Sequence, residues 1–392
     1  MNWFGPVEEA FFQNRPNRFV VRCLHKGKDI EAFLPNPGRL QELFLPGVRL
    51  FLTRQKATPE RRFTFTVAAV EREGRPIMLH THQTNAVAAY LLEEGRIPGL
   101  EGIRIIGKEI PVHHSRFDLL LARDGEEILT EVKSCTLVGK AMAMFPDAVT
   151  ERGSRHLREL SSLSRKGRSA LVLFIVHWPK VDFFLPDYHT DLIFARTMLE
   201  CRETLRFLPV AVEWKKDLAL GRTVKPLAIP WDLLEQEAQD RGSYVLILRV
   251  KETRKITVGK LGRITFPPGY YLYVGSAMGN LTARTERHRR LLKTKHWHID
   301  YLRAEAEFKA VLPIRSSVPL ECLLAQRTAR IAEWSIPGFG CSDCRCPSHL
   351  LGFSTNPLQL RVFLDLIQYF RMDRLSDSLK MVSGKQYLKG IE

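Results

Sequence analysis

Asp118, Glu131 and Lys133 lie on either side of a turn that would fold them together. In SRFDLLLARDGEEILTEVKSCTL (115–137), one apolar run carries Asp118 and a second carries Glu131 and Lys133, with Asp124-Gly125 between them. Asp-Gly between two such runs is the strongest short-range signal for a β-hairpin. Glu131 and Lys133 are two apart, so on a strand they share a face. Two carboxylates meeting there could hold a hard cation, Mg²⁺ or Mn²⁺, and with it a phosphodiester. Such ions take oxygens from one or two carboxylates, from water and from substrate phosphate. The lysine would stabilise charge developing in the transition state. The same spacing also fits the solvent face of an amphipathic strand, where Glu and Lys are ordinary.

A chain of 392 residues can hold two or more domains, each with its own core. A formal charge of +16 and a pI near 9.7 point to a polyanionic partner. Residues 243–392 carry 24 of the 59 Lys+Arg but only 12 of the 43 Asp+Glu, so this part is the more basic. Its densest run, RTERHRRLLKTK, offers Arg284, Arg287, Arg289, Arg290, Lys293 and Lys295. On a helix these would present either an extended face to phosphates or simply a solvated face.

Met1–Phe12 has neither a basic n-region nor a long apolar h-region. No window reaches the ~18 apolar residues that span a bilayer. The seven cysteines are odd in number, and Cys23, Cys135, Cys201 and Cys322 are scattered. The expectation is a cytoplasmic chain with no membrane partner and no disulfide framework.

The fold expected is multidomain α+β. Residues 1–82 alternate in short runs broken by turns such as Pro35-Asn36-Pro37-Gly38, which suggests an OB-like β-barrel. Arg18, Arg22, Arg61 and Arg62, with Phe63 and Phe65, would give it a basic and aromatic face for single strands. The two phenylalanines equally suit the barrel core. Residues 83–228 alternate helices (Asn85–Glu94, Glu151–Lys166, Leu192–Leu205) with strands (Ser169–His177, Leu208–Trp214), the pattern of an α/β sheet domain. Thr84 or Asn85 could cap the first helix and Asp147 the second. Residues 229–242 read as a linker, 243–354 as a third domain and 355–392 as a C-terminal helix and tail.

Over residues 1–230 the chain resembles the sugar fermentation stimulation protein A family. The matching stretches are LPNPGRLQELFLPG (34–47), TNAVAAYLLEEG (84–95), SRFDLLL (115–121), EVKSCTL (131–137) and FPDAVTERGSRHLREL (145–160). The resemblance implies an OB-like barrel followed by a PD-(D/E)xK nuclease-like domain, with Asp118 as the first acidic residue and Glu131-Val132-Lys133 as the E-x-K element. It implies DNA binding and suggests metal-dependent hydrolysis by an endo- or exodeoxyribonuclease, with no small-molecule cofactor. Glu93 or Glu94, on the matching helix, would add an acidic group or lie on the surface. Arg152, Arg155 and His156 would face the nucleic acid, with Glu159 joining His156, or would form a solvated helix rim. The alternative in another class is a non-catalytic DNA-binding regulator of sugar (maltose) metabolism genes.

Residues 243–354 resemble the GIY-YIG nuclease superfamily. The residues are Gly242-Ser243-Tyr244, Tyr273-Val274-Gly275 and Leu281-x-x-Arg284-x-x-x-His288, with Glu321 following. Ser243 stands where the superfamily has isoleucine. The resemblance implies positioning or proton transfer by Tyr244 and Tyr273. Arg284 would then be a phosphate clamp, His288 a base and Glu321 a Mg²⁺ ligand. Cys341-x2-Cys344-x-Cys346-x2-His349 could hold Zn²⁺ tetrahedrally, or could be reduced, unmetallated thiols.

Overall fold

The computed structural model describes residues 3–55, 62–113 and 115–383. Arg61 lies outside them. The chain forms two compact units, one over Met1–Leu234 and one over Glu235–Leu375, with Ser376–Glu392 grouped with the first.

In the first unit, strands Val7–Asn17, Val20–His25, Lys28–Phe33, Arg49–Arg54 and Phe65–Arg72 form a sheet that closes where Phe33 pairs with Thr66. This is the expected OB-like barrel. The strand Val7–Asn17 escapes the sequence reading although it pairs on both sides, because only Ala10 and Phe12 of its residues are buried.

The second layer is a six-stranded mixed sheet in the order Leu220–Pro226, Arg206–Trp214, Ser169–Val176, Glu126–Cys135, Ser115–Arg123, Arg104–Val112. Asp124 and Gly125 take φ of 53° and 83°, which joins the Ser115–Arg123 and Glu126–Cys135 strands by a two-residue turn. Glu126–Cys135 runs parallel to Ser169–Val176, and the Glu151–Arg165 helix makes the crossover. Thr150, not Asp147, caps that helix by accepting from the Gly153 amide. Asp147 is instead half-buried against Gly38, where its carboxylate fills the space a Cβ would need. One core runs from the barrel (Phe12, Leu34, Phe44) into the sheet and its helix (Leu157, Val172, Phe174), so both layers belong to one packed body.

The second unit has an antiparallel sheet in the order Glu307–Arg315, Gly242–Val250, Gly269–Ala277, Leu350–Phe353, Trp334–Ser335. Helices Leu281–Arg289, His298–Glu305, Glu321–Ala329 and Arg361–Gln368 accompany it. The Leu281–Arg289 helix ends before Leu292, so the basic run is helical only in its first half. Tyr244, Tyr271, Phe266 and Phe339 lie in its core.

Candidate active sites and a metal centre

The hairpin brings Asp118 to Glu131 and Lys133. Pairing of the two strands begins at Leu119–Thr130, one residue from the site. The Val132 amide donates to Asp118 Oδ2 at 2.7 Å, and Asn85 Nδ2 donates to Oδ1 at 2.7 Å. Asn85 projects from the Thr84–Glu93 helix, which Gln83 begins without a side-chain cap. Residue 85 is therefore a contact to the site rather than a cap. Glu93 and Glu94, one helix length away, are exposed.

Glu131 is 3% exposed. Its Oε1 accepts from Lys133 Nζ and, at 2.7 Å, from His156 Nδ1. Arg152 Nε donates to His156 Nε2 at 3.2 Å, which leaves the ring proton on Nδ1, facing Glu131. Glu131 Oε2 is buried with no hydrogen-bond partner. Burial opposes the charge on Glu131, yet the His156 hydrogen bond and the Lys133 charge bring its carboxyl below the ordinary range. Burial and the neighbouring Glu131 charge push Asp118 the other way, up. A cation between the two would ease that repulsion. The unpartnered oxygen, two carboxylates and a hard-ligand chemistry fit Mg²⁺ or Mn²⁺.

A cleft of about 340 Å³ opens beside this network, lined by Lys133, Asn85, Thr84, Gly38 and Arg18 among others. Its barrel wall is the Pro35-Asn36-Pro37-Gly38 turn. Arg15 clamps that wall by donating to the carbonyls of Gly38 and Arg39, each at 2.7 Å, and of Arg18 and Asn36. Nothing in the spacing of Arg15 signals this role.

The expected nucleic-acid contacts separate in the structure. Arg18 reaches the cleft. Arg152 and Arg155 are exposed along the helix, and Glu159 pairs with Ser115 Oγ and Arg155 rather than with His156. Arg22 and Arg62 both pair with Glu31. Phe65 is core, but Phe19, Phe33 and Phe63 stack at 6.4 Å centroid steps with interplanar angles of 22° and 23°.

In the second unit Tyr244, Tyr273, Arg284, His288 and Glu321 come together. Tyr244 OH lies 2.7 Å from His288 Nε2, and the Tyr244 and Tyr273 rings are 6.3 Å apart. A Cβ on Gly275 would stand 2.5 Å from Tyr244 OH and 3.0 Å from Tyr273 Cε1, so the Tyr-x-Gly spacing is a packing requirement. Burial pushes both phenols up and lowers His288 to about 3, leaving it neutral. Ser243 is buried with an unpartnered hydroxyl. Arg284 lies over Trp297 at 4.1 Å and reaches the Ser276 carbonyl at 3.4 Å. Ser276 Oγ donates to Glu321 Oε2. Arg287 and Lys293 turn inward to buried Asp300, at 2.9 and 2.8 Å. Arg289, Arg290 and Lys295 stay exposed, with Arg289 paired to Glu286.

Cys322, Cys344, Cys346 and His349 bring one donor atom each within 4.8 Å of one another and could hold a metal ion. The fourth member is thus Cys322, from the helix that begins at Glu321, and not Cys341. The Cys341 thiol instead donates to the Phe339 carbonyl at 3.3 Å. All seven cysteines are free. Among the described residues no helix is long and apolar enough to cross a membrane.

Comparison with known proteins matches three family descriptions: "SfsA N-terminal OB domain" over residues 14–79, "Sugar fermentation stimulation protein RE domain" over 82–217, and "Domain of unknown function DUF123", which is GIY-YIG-like, over 243–372. A sugar fermentation stimulation protein homolog of Moorella thermoacetica is 38% identical over 193 residues, 49% of this chain and 83% of the relative. One of Methanothermobacter thermautotrophicus is 37% identical over 199 residues, covering 51% and 82%. The structure of Pyrococcus furiosus SfsA in complex with Ca²⁺ superposes with a TM-score of 0.53 and 29% identity, over 57% of this chain and 96% of that one.

Proposed function

This chain belongs to the sugar fermentation stimulation protein family, and from that premise we propose that it binds DNA, double- or single-stranded, and hydrolyses phosphodiesters with a divalent cation. One observation carries the reading. Glu131 Oε2 is a buried acceptor without a partner, on a carboxylate held ionised beside Asp118. Asp118 and Glu131 would hold Mg²⁺ or Mn²⁺. Such an ion activates water and polarises the phosphodiester. The Ca²⁺ named with the Pyrococcus furiosus protein is another oxygen-seeking cation. Lys133, at the cleft wall, would meet the charge that develops on the phosphate, while Arg18 and Arg152 would hold the flanking backbone.

In the second unit Arg284 would clamp a phosphate, Tyr244 and Tyr273 would position water, neutral His288 would orient Tyr244 by accepting a hydrogen bond from its hydroxyl, and Glu321 would ligate a second Mg²⁺. The Cys/His centre would take zinc.

Incubation with single- and double-stranded DNA and Mg²⁺ or Mn²⁺ tests this reading. Cleavage that disappears in Asp118→Asn supports it. Cleavage unchanged in Asp118→Asn, or none with any substrate, overturns hydrolysis at this site. A second reading, a DNA-binding regulator that does not cut, draws on the same network, because Asp118 already accepts two hydrogen bonds and Glu131 is already paired. It expects undiminished, salt-sensitive binding in EDTA.

A further inference from the structure

Glu321 and Cys322 are adjacent at the start of one helix, and they face two different centres. Cys322 joins Cys344, Cys346 and His349. Glu321 lies among the tyrosines and Arg284: its charge disfavours ionisation of both phenols, and the Arg284 charge favours its own. His349 touches both groups. Its Nε2 is 3.4 Å from Cys344 Sγ, and its Nδ1 is 3.1 Å from Glu321 Oε1.

We propose that Cys322, Cys344, Cys346 and His349 form a zinc centre that positions Glu321, with the metal on His349 Nε2 and the Nδ1–H donated to Glu321 Oε1. The proposal rests on reading the Cys/His set as a zinc centre and Glu321 as part of the second site.

One edge of the donor set already suits an occupied tetrahedron, and all four donor atoms lie within 4.8 Å of one another. With Zn–S near 2.3 Å and Zn–N near 2.0 Å, the sulfur-to-nitrogen edge is about 3.5 Å and the sulfur-to-sulfur edge about 3.8 Å. The 3.4 Å between Cys344 and His349 matches the first of these. Three thiolates and an imidazole select a borderline-soft ion over Mg²⁺ or Ca²⁺.

The imidazole is held from its backbone as well. The Val274 amide donates to the His349 carbonyl at 2.9 Å, and the His349 amide donates to Phe339 at 2.9 Å. A Cβ on Gly340 would meet Tyr273 at 2.8 Å and His349 Cβ at 3.2 Å, so the knuckle packs directly on the tyrosine of the second site.

A neutral histidine has one ring proton. Without a metal that proton can sit on either nitrogen. A metal on Nε2 fixes it on Nδ1, aimed at Glu321. Ser276 Oγ holds the other oxygen of the same carboxylate. Zinc therefore fixes both the helix turn that carries Glu321, through Cys322, and the orientation of its carboxylate, through His349. His349 is a positioning residue here.

Coupling of this kind is reciprocal, so Glu321 must strengthen zinc binding. Loss of a carboxylate partner behind a metal-bound histidine typically costs about 10–100-fold in metal affinity. The test uses the full chain purified without chelator. Zinc is counted by mass spectrometry, and its affinity is measured by competition with a chromophoric chelator.

One zinc per chain is expected, retained in Cys341→Ser and lost in Cys322→Ser and Cys344→Ser. Glu321→Ala, and the isosteric Glu321→Gln, should each keep the zinc but bind it tenfold or more weakly. Wild-type zinc no higher than the buffer blank overturns the zinc centre itself. Full zinc with wild-type affinity in both Glu321 variants overturns the coupling alone. Retention of zinc in Cys322→Ser together with its loss in Cys341→Ser overturns the ligand set.

Discussion

His156 Nδ1 lies 2.7 Å from Glu131 Oε1, both residues buried, one on the crossover helix and one on the strand it leaves. The contact makes the helix a support for the carboxylate. It also opposes the effect of burial, which on its own raises the Glu131 carboxyl, and helps bring that carboxyl below the ordinary range.

Replacing His156 with alanine should therefore move the acid limb of metal-dependent cleavage to higher pH. His156 holds the Glu131 carboxyl down, so its removal lets the carboxyl rise. The ionised form that would bind a cation then appears only at higher pH. A rise of about one pH unit corresponds to about 1.4 kcal/mol. The pH profile of cleavage with saturating Mn²⁺ reads this directly, and an unmoved acid limb would refute the role given to His156.

His177 sets a second pH dependence, this time in stability. It is fully buried, its Nδ1 accepts from Trp214 Nε1 at 3.1 Å, and its Nε2 lies 3.1 Å from Ser134 Oγ. Burial lowers it to about 3. The unfolded chain binds that proton near pH 6.5 and the folded chain does not. Its contribution is then intact above pH 6.5 and falls as pH drops toward 3, by about 1.4 kcal/mol per pH unit across that window. In His177→Gln, thermal or urea unfolding between pH 6.5 and 4.5 should lose less stability than in wild type. Parallel pH slopes in the two proteins would contradict this.

Gly275→Ala tests whether the tyrosine pair is built by packing. The added Cβ has no room beside Tyr244 OH and Tyr273. Overpacking of this kind costs about 1–3 kcal/mol. The second unit should unfold at a lower temperature, and the first unit, which holds the Asp118 site, should not. An unshifted melting profile would show that the rings yield without cost.

The aromatic ladder Phe19, Phe33 and Phe63 predicts a preference among nucleic acids. Base stacking on such rings is worth about 1–3 kcal/mol per base. Phe19→Ala should weaken single-stranded DNA binding by roughly tenfold while leaving duplex binding nearly unchanged. Equal loss for both forms would remove the ladder as a stacking platform.

The parts of the fold legible in sequence were those fixed by local rules. The Asp124-Gly125 turn dictates a hairpin, and the hairpin dictates that Asp118 and Glu131 approach. Arg284 and His288, four apart on a helix, face one site for the same reason. What stayed hidden depends on long-range contact. Asn85 looks like a cap because its type suits one, yet tertiary packing aims it at Asp118. Cys322 looks isolated because its partners lie more than twenty residues away, and only the fold sets it against the 344–349 knuckle. Asp147 looks like a cap until the barrel turn is seen to press Gly38 onto it.

The basic run divides by the same logic, and the division is measurable. Arg287 and Lys293 are committed to Asp300, which is 1% exposed, so their charge is already compensated. Arg290 and Lys295 are exposed to meet phosphate, the Lys295 ammonium lying 4.9 Å from the centre of the Tyr301 ring. Arg290→Gln and Lys295→Gln should each lower the slope of log affinity against log salt by about one and leave unfolding unchanged. Arg287→Gln should do the reverse. It leaves Asp300 short of a partner and destabilises the second unit by about 3 kcal/mol, the lower end for a broken buried pair because Lys293 remains, with little change in the salt slope. If Arg287→Gln instead lowered the slope and spared stability, Asp300 would not be what holds that arginine.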